Sequence, residues 1–298
     1  MEEKLDPVIS QVLTEQNQGP ETRQRIFQKL GKELQRPVVS FFTSFRFPVM
    51  IEDADADMLE GVLQKMDLSK GLALLISSPG GDGLAAERII NVCRTYSNTG
   101  EYWAIVPGKA KSAATMISFG ASKIIMGPTS ELGPIDPQLS TSESGRTKWF
   151  SVYNIVESYK DLFSRAVKET GNLQPYLQQL SNYDEREIKE FEVALSLSED
   201  IAIRALACDM MKGIPLDDIR KKIEIFLTPK QTKSHGRPIC SNDATSCGLK
   251  IDERNVNNEF WKTVYELYIR TNNYVTTRAA KCIESEQYSF AVSMEVKK

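Results

Sequence analysis

Apolar positions along the chain fall into two alternating patterns. At residues 21–34, Ile26, Leu30 and Leu34 recur at helical spacing among strong helix formers, and Pro37 ends the run. Residues 37–47 are rich in Val and Phe and predict a strand leading into the core. Helical spacing returns at 54–66, with Met58, Leu59, Val62, Leu63 and Met66 inward and Asp53 or Asp55 as the cap. The order is then strand (72–76), glycine loop, helix (84–96), strand (102–106), loop, helix (112–120) and short strand (123–126). Such alternation implies parallel strands with right-handed crossovers, and so an α/β layered fold.

Beyond residue 149 the pattern changes. Residues 149–212 lack strand alternation and predict several helices, broken near 171–175. Residues 223–227 suit a strand, 228–250 is turn-rich, and 256–270 has helical spacing through Phe260, Val264, Leu267 and Tyr268. The tail from about residue 284 is weakly patterned. The implied organisation is an N-terminal helical arm (1–36), a core (37–255) that includes the helical segment 149–212, and a C-terminal helix and tail (256–298).

Composition narrows the function. With 298 residues, 41% hydrophobic and 26% charged, the chain has globular usage. Its formal net charge of -3 argues against nucleic acid as a partner, because phosphate-backbone affinity needs clustered Lys and Arg. The five cysteines are odd in number and scattered, which suits reduced thiols in a cytoplasm. Cys240 and Cys247 lie near His235, but neither a CxxC pair nor a second histidine accompanies them, so no metal is expected. The N-terminus shows no basic region followed by an apolar one, and no run of about 18 apolar residues occurs, so neither a leader nor a membrane span is expected.

Two stretches carry chemistry: Ser78-Pro79-Gly80-Gly81-Asp82-Gly83 and Lys111-Ser112-Ala113-Ala114-Thr115. Each follows a strand, at the carboxyl end where α/β folds gather ligands. Glycines there can turn backbone N–H groups toward a developing oxyanion, or can simply make a strand-to-helix turn. A phosphate cradle is the weaker rival, since the Gly-Lys-Ser/Thr ending of a P-loop is missing. Ser112 heads a helix of small residues, which exposes its hydroxyl and adds its own N–H or that of Ala113 to the same hole. A capping serine is the structural alternative.

Taken with Met126-Gly-Pro-Thr-Ser-Glu-Leu-Gly-Pro-Ile-Asp-Pro-Gln-Leu139, Thr232-Lys-Ser-His235-Gly-Arg-Pro-Ile239 and Cys247-Gly-Leu249, these stretches resemble the serine dehydrogenase proteinase family. That family is related to SppA and ClpP peptidases. The resemblance covers roughly residues 35–255 and implies a ClpP/crotonase-like fold of stacked ββα units, here with an added helical segment. It further implies serine peptidase activity on peptide or unfolded protein and assembly into homo-oligomers, as rings or trimers; no cofactor is expected, because a nucleophile, a hole and a base suffice for acyl transfer. Ser112 matches the nucleophile position, and Gly80 and Gly81 match the oxyanion glycines.

The base has two candidates. His235 is the sole histidine, so any histidine base must be this residue; Asp136, held between Pro134 and Pro137, is placed to join it. Relative to the ClpP pattern the two residue types are interchanged. The SppA pattern instead uses a lysine, and Lys148, just before Trp149 and Phe150, is the candidate by order. Lys111 adjoins Ser112 but points away if both sit at a helix start. Two other readings stay open: a crotonase-like acyl-CoA enzyme, which uses the same pair of N–H groups without a serine, and a catalytically silent assembly module.

Overall fold

The computed structural model describes residues 7–15, 18–46, 49–143 and 146–293. Helices α1 (Val8–Thr14) and α2 (Glu21–Leu34) precede strand β1 (Val38–Thr43). Next come α3 (Asp53–Leu63), β2 (Leu72–Ser77), α4 (Gly83–Tyr96), β3 (Tyr102–Val106), β4 (Lys109–Ala110), α5 (Ala113–Phe119) and β5 (Lys123–Met126). After β6 (Glu131–Leu132), strands β7 (Gln138–Glu143) and β8 (Arg146–Ser151) pair antiparallel as a hairpin. Helices α6 (Val152–Lys168), α7 (Gln174–Leu180) and α8 (Glu185–Cys208) form the helical segment. The chain closes with α9 (Leu216–Lys222), α10 (Glu224–Leu227), α11 (Pro229–Thr232), α12 (Ser241–Ser246), β9 (Ile251–Glu253), α13 (Glu259–Thr277), β10 (Ala279–Glu284) and β11 (Ser289–Ser293).

One sheet has the order β11-β10-β1-β2-β3-β5-β9. Strands β1, β2, β3, β5 and β9 run parallel, and β10 joins β1 antiparallel. The parallel α/β architecture expected from the alternation is therefore present. Both faces are covered. Val39, Phe41, Leu72, Leu74, Ile76, Ala104 and Val106 share one core with residues of α3, α4, α5 and α8. Val38, Phe42, Ala73, Leu75, Ile105 and Ile125 pack instead on Ile26, Phe27 and Leu30 of α2 and on Phe260, Trp261, Val264 and Leu267 of α13. Two buried faces explain why these strands read as continuous apolar runs rather than alternating ones.

Charges inside this structure are paired. In β10, Lys281 Nζ reaches the Asp55 carboxylate at 2.9 and 3.1 Å, which ties α3 to the sheet. Glu284 accepts two hydrogen bonds of 2.6 Å from the buried Arg23 guanidinium, which ties α2 to it. Removing one partner of such a pair leaves an uncompensated buried charge and costs about 3–5 kcal/mol.

Three local readings change. Residues 223–227, expected as a strand, form a helical turn because Ile223, Phe226 and Leu227 all turn inward at i, i+3 and i+4. Trp149 and Phe150 lie in β8 rather than opening a helix; the helix starts at Val152, with Ser151 as its N-cap. Within the weakly patterned tail, Ser289–Ser293 form β11, which pairs antiparallel with β10.

Candidate active site

Ser112 sits between β4 and α5 with φ 51° and ψ −119°. Outside glycine this backbone region is sparsely populated and costs on the order of 1–3 kcal/mol, so the surroundings must hold it. They do so through hydrogen bonds on both sides of the serine. Lys111 N–H donates to Ser78 O at 3.0 Å, Met116 N–H to Ser112 O at 3.1 Å, and Thr115 Oγ1 to Ala110 O at 2.7 Å. Gly80 packs against the turn so closely that a Cβ there would lie 2.6 Å from Ser112 Cβ. The hydroxyl of Ser112 has no hydrogen-bond partner among the described residues and faces an open cleft of about 830 Å³.

The two glycines differ in what their N–H groups do. Gly80 N–H donates to the buried Ser78 Oγ at 3.1 Å, and that hydroxyl is also hydrogen-bonded to Thr43 Oγ1 at 2.7 Å. Gly81 is pinned from outside by Ile51: Ile51 N–H donates to Gly80 O and Asp82 N–H to Ile51 O, each at 2.9 Å. Neither Gly81 N–H nor Ala113 N–H has an acceptor among the described residues. Close backbone approach explains why glycine is required at 81, since a Cβ would meet Ile51 N and O at 2.3 Å.

Asp136 and His235 meet, although they lie 99 residues apart in the chain: His235 Nδ1 is 2.8 Å from Asp136 Oδ1. The Asp136 side chain is fully buried and that of His235 is 26% exposed at the cleft. The other carboxylate oxygen, Oδ2, accepts from Gln138 Nε2 and from Ser151 Oγ, each at 2.8 Å. A carboxylate is an acceptor only, so the His235 proton belongs on Nδ1 and the free lone pair on Nε2.

The cleft is lined by Gly80, Gly81, Ser112 and His235 together. Lys148 stands elsewhere. Successive side chains of β8 alternate across the hairpin, Trp149 and Ser151 line the cleft, and exposed Lys148 lies on the opposite face. Lys111 turns away from Ser112 to Leu132 O at 2.9 Å and Glu131 at 2.8 Å. Sequence reasoning missed Ser78, Gln138 and Ser151. Ser78 and Gln138 carried a signal, the first in opening the Ser-Pro-Gly-Gly stretch and the second in its place in the Pro-Ile-Asp-Pro-Gln run; Ser151 carried none.

A largely parallel sheet that presents a serine turn and a glycine loop at the carboxyl ends of neighbouring strands has a ClpP-like layout. Residues 35–158 match the profile of the ClpP-like SDH-type serine proteinase family. Ser112, both glycines and Asp136 fall inside the match, and His235 falls beyond it. The chain is 27% identical over 232 residues to an uncharacterized protein of Methanocaldococcus jannaschii, covering 78% of this chain and 67% of that protein. A second uncharacterized protein of the same organism is 30% identical over 103 residues, 35% of this chain and 32% of its own length. The chain thus spans about two thirds of one relative and about a third of the other. A solved structure of a serine-to-alanine variant of 1510-N, a membrane-bound stomatin-specific protease, superposes at a TM-score of 0.30 with 20% identity, over 43% of this chain and 63% of that one. Among the described residues no helix is long and apolar enough to cross a membrane.

Proposed function

We propose that the chain is a serine peptidase that works through an acyl-enzyme on Ser112, with His235 as general base and Asp136 as its partner. The observation that carries the proposal is the 2.8 Å His235–Asp136 contact in the cleft that Ser112 faces. His235 Nε2 takes the Ser112 proton as Oγ attacks the peptide carbonyl carbon. The carbonyl electron pair moves onto oxygen, where Gly81 and Ala113 N–H groups stabilise it. The tetrahedral intermediate collapses, the C–N bond breaks, and the imidazolium returns its proton to the leaving amine. Water, deprotonated by the same imidazole, then releases the acid and regenerates Ser112. Throughout, Asp136 holds the tautomer and stabilises the imidazolium.

A thioester-polarising acyl-CoA enzyme needs neither a free serine hydroxyl nor a carboxylate-anchored imidazole, so this geometry favours the peptidase. Met116 and Ile201, both buried, and the exposed Leu84 and Leu197 give the cleft an apolar wall suited to an apolar substrate side chain. The proposal includes self-assembly, for which sedimentation velocity is the test; a monomer at micromolar concentration removes that part.

Labelling with a fluorophosphonate, followed by hydrolysis of an unfolded protein substrate, tests the whole. Ser112→Ala abolishes both, His235→Ala lowers hydrolysis about 10²- to 10⁴-fold, and Lys148→Ala leaves it intact. Full activity in His235→Ala with loss in Lys148→Ala sinks the assignment in favour of a lysine base.

A further inference from the structure

We infer that the β7–β8 hairpin is a positioning device for the catalytic aspartate, with Gln138 and Ser151 as its working residues; the inference rests on the Ser112–His235–Asp136 reading above. Gln138 and Ser151 are direct cross-strand partners, the pair at the base of the hairpin. Both donate to the same atom, Asp136 Oδ2, at 2.8 Å each. That leaves Oδ1 for His235 Nδ1, also at 2.8 Å.

A carboxylate can rotate about its Cβ–Cγ bond, and a carboxylate closed off from solvent has no water to fix it. Here the side chain has no exposure, so its two protein donors on Oδ2 set the rotation and thereby the direction in which Oδ1 points. The hairpin is anchored to the aspartate loop a second time, where Val152 N–H donates to Pro137 O at 3.0 Å.

The same hairpin reaches the substrate side. Trp149, two residues before Ser151 and therefore on its face of the strand, is half-exposed and lines the cleft. Substrate pressing on Trp149 acts on the strand that holds Asp136, so occupancy of the cleft and alignment of the base share one element. Gln138 and Ser151 act through Asp136 and touch no reacting atom.

Ser151 has a second job that the test must separate, because it also caps α6 by accepting from Asn154 N–H at 3.4 Å. The substitutions Ser151→Asn, Ser151→Asp and Ser151→Ala divide the two. Asn caps and donates; Asp caps but sets a second anion against Asp136; Ala does neither. Steady-state peptide hydrolysis by the full chain, with thermal melts as a control on folding, gives kcat and KM for each. We expect Ser151→Ala and Gln138→Leu to lower kcat by about 10- to 100-fold with KM nearly unchanged. Ser151→Asn recovers most of the loss, and Ser151→Asp falls at least as far as Ser151→Ala.

Equal kcat in Ser151→Asp and Ser151→Asn overturns the inference, since Ser151 is then only a cap. Wild-type kcat in Gln138→Leu overturns it as well. His235→Ala, assayed beside them, identifies which claim has failed. If it keeps activity, the triad reading falls and the inference with it. If it is inactive while Gln138→Leu and Ser151→Asp are fully active, the hairpin claim alone falls.

Discussion

Replacing Asp136 by Asn keeps the shape of the side chain and changes only which atoms donate, and the structure says how that change is read out. An amide has one acceptor and one donor end, whereas this position is met by three donors: His235 Nδ1, Gln138 Nε2 and Ser151 Oγ. In one orientation the amide oxygen faces His235 and the NH₂ faces Gln138 and Ser151. Those two must then turn into acceptors. Gln138 resists, because its Nε2 also lies 3.3 Å from Pro137 O and 3.5 Å from Asp136 O, and a flip would set oxygen against those carbonyls. In the other orientation the NH₂ faces Nδ1, which moves the imidazole proton to Nε2, where it cannot accept from Ser112. The second arrangement satisfies more hydrogen bonds and, on the proposed mechanism, is catalytically dead. We therefore expect Asp136→Asn to lower kcat by about 10⁴-fold, equivalent to roughly 5.5 kcal/mol of lost transition-state stabilisation. The first arrangement alone would lose only a charge-assisted hydrogen bond, about 10- to 100-fold. Rates of fluorophosphonate labelling and of peptide hydrolysis, with a thermal melt to confirm folding, measure the effect. A loss smaller than about tenfold would falsify the orienting role of Asp136.

Three further outcomes are expected. Gly83→Val narrows the apolar wall, since a Cβ at 83 falls 3.6 Å from Ile201 Cδ1 and 3.8 Å from Met116 Sδ; the preference for leucine over alanine at the cleaved residue drops by about tenfold or more, and an unchanged preference shows that the pocket lies elsewhere. Among the cysteines, exposed Cys208 alkylates first and half-buried Cys240 more slowly. Cys93, Cys247 and Cys282 stay silent until unfolding, because burial pushes the Cys93 thiol up to about 12, that of Cys247 to about 11, and that of Cys282 upward too; native-state modification of any of these three contradicts the packing. The Glu15 carboxyl is held below its ordinary range by its hydrogen bond from Arg270. Its folded-state value is thus lower than its unfolded one of about 4.3, so its contribution to docking α1 on α13 is full above that pH and fades as the pH falls through the lowered value. Hydrogen exchange in α1 should accordingly stay protected down to about pH 4.3, and loss of protection already between pH 6 and 5 would contradict this.

How much was legible depended on where polar groups ended up. The β2–α4–β3–α5–β5 stretch could be read because its strands are buried on both faces and leave uninterrupted apolar runs. The β7–β8 hairpin was not, since Gln-Leu-Ser-Thr-Ser-Glu and Arg-Thr-Lys-Trp-Phe-Ser have no face committed to a core. Strand β10 was hidden by Lys281 and Glu284, which look like surface residues until Asp55 and Arg23 are seen beside them. Local sequence could place Ser112 and the glycines at turns after strands, because such a turn is a local event. It could offer Asp136 and His235 separately, but their contact is made by folding the helical segment back over the sheet. The division of labour between Gly80 and Gly81 was out of reach, because it depends on where Ser78 Oγ lies.

On the proposed mechanism, the 99-position separation of Asp136 and His235 also decides when the chain becomes active. Synthesis delivers the glycine loop, Ser112 and Asp136 first, and then the whole of α6, α7 and α8 before the imidazole emerges. A ribosome-bound or truncated chain that stops short of residue 235 carries a serine with nothing to deprotonate it. On the proposed mechanism no separate inhibitor is needed during synthesis, since topology itself withholds the base until the cleft has its walls.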